Sequence, residues 1–513
     1  MARRNYDVVG AIDVGTNHLH LTVAQINNNG KMDILEDLTL PTNIGNDAFT
    51  FGRISTSTMR ATTESLLGFV RILKEYKVKH YRSFAKSALR EASNREYVLE
   101  FIRMKTGLSV EVINSAQERF YLYKALKYHN PDFNVSHTKE STLVVNISSG
   151  GLEISVFNKG NLSLTEYINI GSLRIFETLS EFRTKKTNYY QMIEDYINSE
   201  LSLLYTLLHN ADIQNMIGLG SEINTIYHKL TQKDLQLIDR DHISRLYDNV
   251  CKMHDDQLKE TYELTPKQLE TFVPSVIILN ALLKVTKTKR VFIPLIVFRY
   301  GVIYDLADHI YNCPRREDFE KDIIHSIWYI AKKYGTNEKH CEQVAKLALA
   351  IFDQTMKLHK LSEKERQYLH IAAILHDIGY FVNFSEHHRL SYELIKKQNI
   401  MGLSNLELDI IANVVRYQGT ELPGDHDLNQ PSFTHKYRMI ISKLAVLLKM
   451  ADSLDISHED KIQQLDISIN KDSALFKLYS RQSPLLEEWA FAKVALFFEA
   501  IMGVSPATKH IFH

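Results

Sequence analysis

The stretch 142-TLVVNISSGGLEISVF-157 is an apolar run, an Asn, a turn of small residues, and then apolar residues at every second position. An earlier stretch, 9-VGAIDVGTNHLHLTV-23, is built the same way. Laid over one another, Asp13 falls on Asn146, Gly15 and Thr16 on Ser148 and Ser149, and Leu19 and Leu21 on Leu152 and Ile154. Alternation on the far side of a tight turn predicts a hairpin with one buried face. Each hairpin is followed by a Gly-containing turn, 27-NNNG-30 or 158-NKGN-161, and another alternating run. The repeat predicts a duplicated architecture.

Outward from these hairpins, strand and helix patterns alternate. Helical spacing runs through 57–76, then a short strand and polar turn in 82-RSFAKSALREASN-94, then a helix from Arg95 to about Thr106. The strand 109-SVEVIN-114 leads into a helix beginning near Ala116. In the second half a helix is expected over about 185–210, and 213-IQNMIGLGSEINTI-226 reads as strand, Gly-rich turn and helix. This order predicts α/β layers. From about 316 the pattern becomes almost continuous helix, as in 341-CEQVAKLALAIF-352, where Val344, Leu347, Ala348 and Ile351 share one face. Pro314 and a charge cluster in 310-IYNCPRRED-318 mark the boundary. The expected domains are therefore 1–125, 126–310 and an all-helical 316–513.

Size and charge narrow the function. A chain of 513 residues is longer than one ordinary domain, and 44% hydrophobic residues give each domain a core. Lys plus Arg equals Asp plus Glu at 61 each, so overall charge points to no nucleic-acid polymer, although one face can still be basic. The cysteines Cys251, Cys313 and Cys341 form no CxxC pair, which fits a reducing, cytoplasmic setting. The opening 1-MARRNYDVVGAIDVG-15 is interrupted by Gly10 and Asp13 and is not read as a signal peptide. No apolar run of about 18 residues occurs, so no membrane span is expected.

Three strand-ending turns are rich in small residues: 13-DVGTN-17, 146-NISSGG-151 and 218-GLGSE-222. Such turns aim several backbone N–H groups at one place and can cradle an anion. One alone is common in folds with no ligand, but three, two of them in a repeat, favour a phosphate cleft between the halves. Asp13 and Glu153 could hold a hydrated divalent cation there, since magnesium needs only one or two carboxylates beside water and phosphate.

These phrases resemble the exopolyphosphatase / guanosine pentaphosphate phosphatase (Ppx/GppA) family of the actin-like ATPase superfamily. Its first turn, D-x-G-[ST]-N, is matched by Asp13, Gly15, Thr16 and Asn17. A segment like T-x-[AT]-[LM]-R is met by 86-KSALREASN-94, which supplies Arg90. S-G-x-E-E-A is answered by 113-INSAQERFYL-122, with Glu118 on the second glutamate and Gln117 replacing the first. D-I-G-G-G-S-T-E falls on 146-NISSGGLE-153. Further matches are 171-GSLR-174, the Pro of 272-FVPSVIIL-279 and 299-RYGVIYDL-306. The resemblance implies two actin-like (ribonuclease H-like) α/β lobes facing across a cleft. It implies Glu118 as the base that activates water, Arg90 as the phosphate clamp, and a homodimer. The turns at Gly15, Thr16 and Asn17, at Ser148, Ser149 and Gly150, and at Gly218 and Gly220 would cradle phosphate. Mg2+ would sit near Asp13, Asn146 and Glu153. Asn146 stands where the family has a carboxylate and Glu222 where it has a small residue or Thr. A weakened metal site with activity retained is therefore expected, and Glu222 would repel a phosphate unless a cation or an Arg stood between them.

The tail carries 371-IAAILHDIGYFVNFSEHHRLSYELI-395 and 446-VLLKMADSLDIS-457. His340, His376, Asp377 and Asp452 follow the ligand order of an HD-type metal phosphohydrolase, with His387 and His388 as further candidates. The resemblance implies an HD-like tail, here with room for a second divalent metal. His359 and His370 are read as ordinary helix residues. The expected function is an exopolyphosphatase releasing orthophosphate from chain ends. Alternatives are a guanosine pentaphosphate phosphohydrolase, a catalytically weak polyphosphate or nucleotide sensor, and, least favoured, an actin-like ATPase or sugar kinase.

Overall fold

The computed structural model describes residues 6–27, 30–129, 140–182, 189–231, 236–313, 315–418 and 434–512. The chain divides into two compact units between Asp322 and Ile323. The first unit holds two sheets. One contains β1 (Tyr6–Val14), β2 (His18–Asn27), β3 (Met32–Pro41), β4 (His80–Ala85) and β5 (Val110–Val112), in the order β3-β2-β1-β4-β5. The other contains β6 (Thr142–Ile147), β7 (Leu152–Asn158), β8 (Asn161–Ile168), β9 (Asn215–Leu219), β10 (Leu237–Asp239) and β11 (Arg290–Phe292), in the order β10-β11-β9-β6-β7-β8. In both, the first strand pairs antiparallel with its hairpin partner and parallel with the strand that returns after a helix. The repeat seen in sequence is thus a repeat of topology, and the α/β, actin-like expectation holds.

Burial explains why these runs become central strands. Every residue of β6 is buried, as are the last six of β1, so apolar side chains face helices on both sides of each sheet. Local chemistry sets helix ends. Ser55 accepts from the Thr58 N–H at the start of Thr56–Glu75, and Thr265 and Gln268 form a capping box before Pro266.

The helix Phe298–Tyr311, expected by chain order with the second lobe, packs on the first. Gly301 lies so close to the Tyr121 carbonyl that a Cβ there would collide with it. Arg299 donates to Thr22 Oγ1 at 2.5 Å and pairs with Asp37 at 2.8 Å. Lys124 is buried between Asp305 at 2.7 Å and Asp308 at 2.8 Å.

Among its described residues the second unit is helical through Ser453, and there the all-helical expectation stops. Three strands follow: β12 (Ile462–Ile469), β13 (Ser473–Ser480) and β14 (Ser505–Phe512). β13 and β14 run parallel, which requires a crossover, and the helix Leu485–Met502 supplies it. Phe476 packs edge-on against Phe491 and Phe498 beneath that helix. No helix among the described residues is long and apolar enough to cross a membrane.

Candidate active site

The two hairpins put four side chains in equivalent places. Asp13 on β1 faces His20 on β2, and Asn146 on β6 faces Glu153 on β7. The Asn146 amide donates to Glu153 Oε2 at 3.0 Å, and both residues are buried. A second carboxylate at position 146 would face Glu153 as a like charge in low dielectric; the amide replaces that repulsion with a hydrogen bond. Burial, and after it the nearby Glu118, push the Glu153 carboxyl up to about 7, against the pull of Arg119. Burial together with Arg299 pushes His20 down to about 4, so this imidazole is neutral at physiological pH.

Lys86, at the start of the short helix Ser87–Glu91, reaches between the lobe's two acids. Its Nζ lies 3.1 Å from Asp13 Oδ2 and 3.2 Å from Glu118 Oε1. Burial works against both charges of the first pair, but their attraction overcomes it: Asp13 is held below the usual carboxylate range and Lys86 well above the usual amine range. Glu118 sits in the first turn of Ser115–His129. That turn is fixed by Gln117, whose N–H donates to Asn114 Oδ1 at 2.8 Å and whose Oε1 accepts from the Asn114 N–H at 3.2 Å. The Gln that replaces the family's first Glu is therefore a helix cap. Lys86 went unread in the sequence. Its signal was the first position of T-x-[AT]-[LM]-R, where 86-KSALR-90 puts a Lys in place of Thr.

Asp13, Gly15, Thr16, Asn17, Lys86, Glu118, Ser148 and Ser149 line one pocket, and Asn17 Nδ2 donates to Ser149 Oγ across it at 3.3 Å. Two of the N–H groups expected to cradle phosphate are spent inside their own turns, Gly15 on the His18 carbonyl and Ser148 on the Gly151 carbonyl, each at 3.0 Å. Gly150, Gly218 and Gly220 do not line the pocket; they permit close approach. A Cβ on Gly150 would strike Ser87 Oγ, and one on Gly220, at φ +103°, would come within 2.6 Å of Asn146 Oδ1. Glu222 is held by hydroxyls rather than by a cation: Ser149 donates to it at 2.6 Å, Ser221 at 2.5 Å and Ser172 at 3.3 Å. Arg90 lies beside the pocket, donating to the Ile113 carbonyl at 2.8 Å with its guanidinium 6.0 Å from the Tyr167 ring. Arg174 joins the lobes through a two-pronged bond to Glu91 at 2.7 and 2.8 Å, and donates to the Gly150 carbonyl at 2.9 Å.

The fit of a divalent cation in this cleft is poor. Asp13 Oδ1 and Glu153 Oε1 are buried without hydrogen-bond partners, as metal ligands would be. Yet Lys86 fills the place between Asp13 and Glu118, and Asn146 turns its amide toward Glu153. Among the described residues, the cleft gathers no group of three His, Cys, Asp or Glu donors within 4.8 Å.

Such a group stands in the second unit, where His340, His376 and Asp377 converge, all buried. His376 Nδ1 lies 2.7 Å from the Ala373 carbonyl and His340 Nδ1 lies 2.7 Å from Asp455 Oδ2, so both Nδ1 atoms donate. The two Nε2 atoms then face each other at 3.3 Å. Asp452 Oδ1 lies 3.3 Å from His340 Nε2, and Asp377 Oδ1 lies 3.4 Å from His376 Nε2. Two imidazoles aimed by outer partners and two carboxylates make a donor set suited to a divalent transition metal. His387 Nε2 stands 4.0 Å from Asp377, and His388 Nδ1 is buried without a hydrogen-bond partner. Asp455 and His458, which stacks on His340 at 3.8 Å, were missed, although 452-DSLDISH-458 places them at three-residue steps from Asp452.

A guanosine-5'-triphosphate,3'-diphosphate pyrophosphatase of Vibrio campbellii is 22% identical over 87% of this chain and 88% of its own. A protein of the same name from Pseudoalteromonas translucida is 22% identical over 90% and 91%. The crystal structure of an exopolyphosphatase from Cytophaga hutchinsonii superposes with a TM-score of 0.52 at 20% identity, covering 59% of this chain and 98% of that one. This likeness shows the shared fold of the lobes. Residues 22–310 match the Ppx/GppA phosphatase family and residues 324–499 match domain III of Ppx/GppA phosphatases, and the chain belongs to the Ppx/GppA phosphatase family.

Proposed function

We propose that the chain is an exopolyphosphatase, cleaving the terminal phosphoanhydride of inorganic polyphosphate to release orthophosphate. The observation that carries this is Glu118, a buried carboxylate in a helix's first turn, opening on the same pocket as the Thr16, Asn17, Ser148 and Ser149 turns. Lys86 holds Oε1 of Glu118, and the carboxylate would take a proton from water. The equatorial oxygens of the phosphoryl group need positive charge and directed donors as the bond to the leaving phosphate breaks. Lys86, Arg90 and the Thr16 hydroxyl supply these, since the Ser148 and Ser149 hydroxyls already donate to the Gly151 carbonyl and to Glu222. The cleft acids do not fit the Mg2+ that the family resemblance implies, so no step is routed through it. In the second unit, His340, His376, Asp377 and Asp452 would hold a divalent transition metal, which when bound would activate water.

A second reading, hydrolysis of guanosine pentaphosphate, is favoured by the names of the relatives that match the chain nearly end to end. Product analysis separates the two. Long-chain polyphosphate shortened from its ends with orthophosphate as sole small product supports the first; removal of one phosphate from guanosine pentaphosphate, with polyphosphate untouched, replaces it. Binding of either without turnover supports the sensor. We also propose a cytoplasmic homodimer: Cys251, Cys313 and Cys341 form no disulfide, and sedimentation reads the oligomeric state.

A further inference from the structure

We propose that Lys86 is the cleft's own cation, so that the cleft binds phosphate without magnesium. This rests on reading the cleft as a phosphate site. The first support is a charge count. Lys86 stands at the family pattern's Thr and Asn146 at its carboxylate, and each exchange makes the site one unit more positive. Together they add two units, the charge of one divalent cation; the other two charge-changing exchanges, Gln117 for a glutamate and Glu222 for a small residue or Thr, are of opposite sign and cancel. Neither exchange explains the other locally, because Lys86 follows β4 of the first sheet at the start of Ser87–Glu91, whereas Asn146 lies on β6 of the second.

The second support is place. The ammonium touches Asp13 and Glu118, the two first-lobe acids that the family resemblance assigns to metal and to water. It is backed by the Phe298 ring at 5.2 Å and lines the pocket beside Thr16, Asn17 and Ser149. An ammonium has three hydrogens. Two are directed at the carboxylates, and the third remains for a phosphoryl oxygen. A divalent cation at the same position would meet the ammonium at contact distance, so the two exclude each other. The third support is Asn146, whose amide adds no charge and donates its N–H to Glu153.

The test is calorimetric binding of orthophosphate to the full-length chain, in magnesium-free buffer and again with excess magnesium. Wild type is expected to bind with dissociation constants equal within about twofold in the two buffers. Lys86→Arg, which keeps the charge, is expected to stay insensitive to magnesium. Lys86→Thr combined with Asn146→Asp, which restores the family pattern, is expected to bind at least about tenfold tighter with magnesium than without. Wild-type binding that appears only with magnesium, or tightens about tenfold with it, overturns the proposal even if the double variant fails to fold. Absence of orthophosphate binding in both buffers also overturns it. Magnesium-independent binding by a protein that releases nothing from polyphosphate upholds Lys86 and sinks the hydrolase reading, so the two failures are distinct.

Discussion

Asn146 and Glu153 face each other across β6 and β7, joined by a 3.0 Å hydrogen bond, in the places that Asp13 and His20 hold across β1 and β2. The repeat has thus moved the acid from the first strand of one hairpin to the second strand of the other. Asn146→Asp would set two buried carboxylates side by side. It is expected to cost about 2 kcal/mol of stability at pH near 8, and less as acid protonates one of the pair. Urea midpoints at two pH values measure this; equal midpoints for variant and wild type at pH near 8 would refute it.

Glu153 itself gives the fold a pH dependence. Its carboxyl is raised from 4.5 to about 7 in the folded chain, chiefly by burial. The fold therefore keeps a proton that the unfolded chain has lost. This contribution is complete below about pH 4.5 and disappears as pH rises through about 7. Glu153→Gln is expected to flatten the decline of stability between about pH 5 and 8, with the variant the more stable at the upper end by up to ~3 kcal/mol. A wild-type profile already flat over that range would contradict this.

Arg174 and Glu91 bind the lobes together beside the cleft, with the Arg also holding the Gly150 carbonyl. The pair is partly exposed, so its coupling in a double-mutant cycle should be about 1 kcal/mol. The account expects Arg174→Ala to raise KM for polyphosphate by several-fold, because the turn at Ser149 and Gly150 loses its support. A variant that alters neither KM nor stability would remove this residue from the account.

In the second unit, His340, His376, Asp377 and Asp452 are expected to retain about one equivalent of a transition metal per chain through purification. Elemental analysis of wild type beside His376→Ala reads this directly. Equal metal content in the two proteins would exclude the cluster as the holder.

The hairpin repeat was legible because period-two alternation is a local property, and it survives as the common pairing of β1 and β6 with their neighbours. The His-Asp cluster was legible for a similar reason, since His376 and Asp377 are adjacent in sequence and their partners follow in family order. Lys86 was not, because its meaning depends on Asp13 and Glu118, which reach it only through the fold. The docking of Phe298–Tyr311 on the first lobe is likewise a choice of partner, not of local conformation. β13 carried only a blurred signal: 473-SALFKLYS-480 buries every second residue, but Leu475 and Tyr479 put apolar side chains on the other face as well. The surrounding helical pattern masked it.

The most direct measurement is orthophosphate release from long-chain polyphosphate by the purified chain beside Glu118→Gln, which keeps the size of the side chain and removes its basicity. The account predicts release by wild type and a loss of about 100-fold or more in the variant, with orthophosphate binding retained. Release at the same rate by both proteins would contradict it, and the base would have to be sought elsewhere.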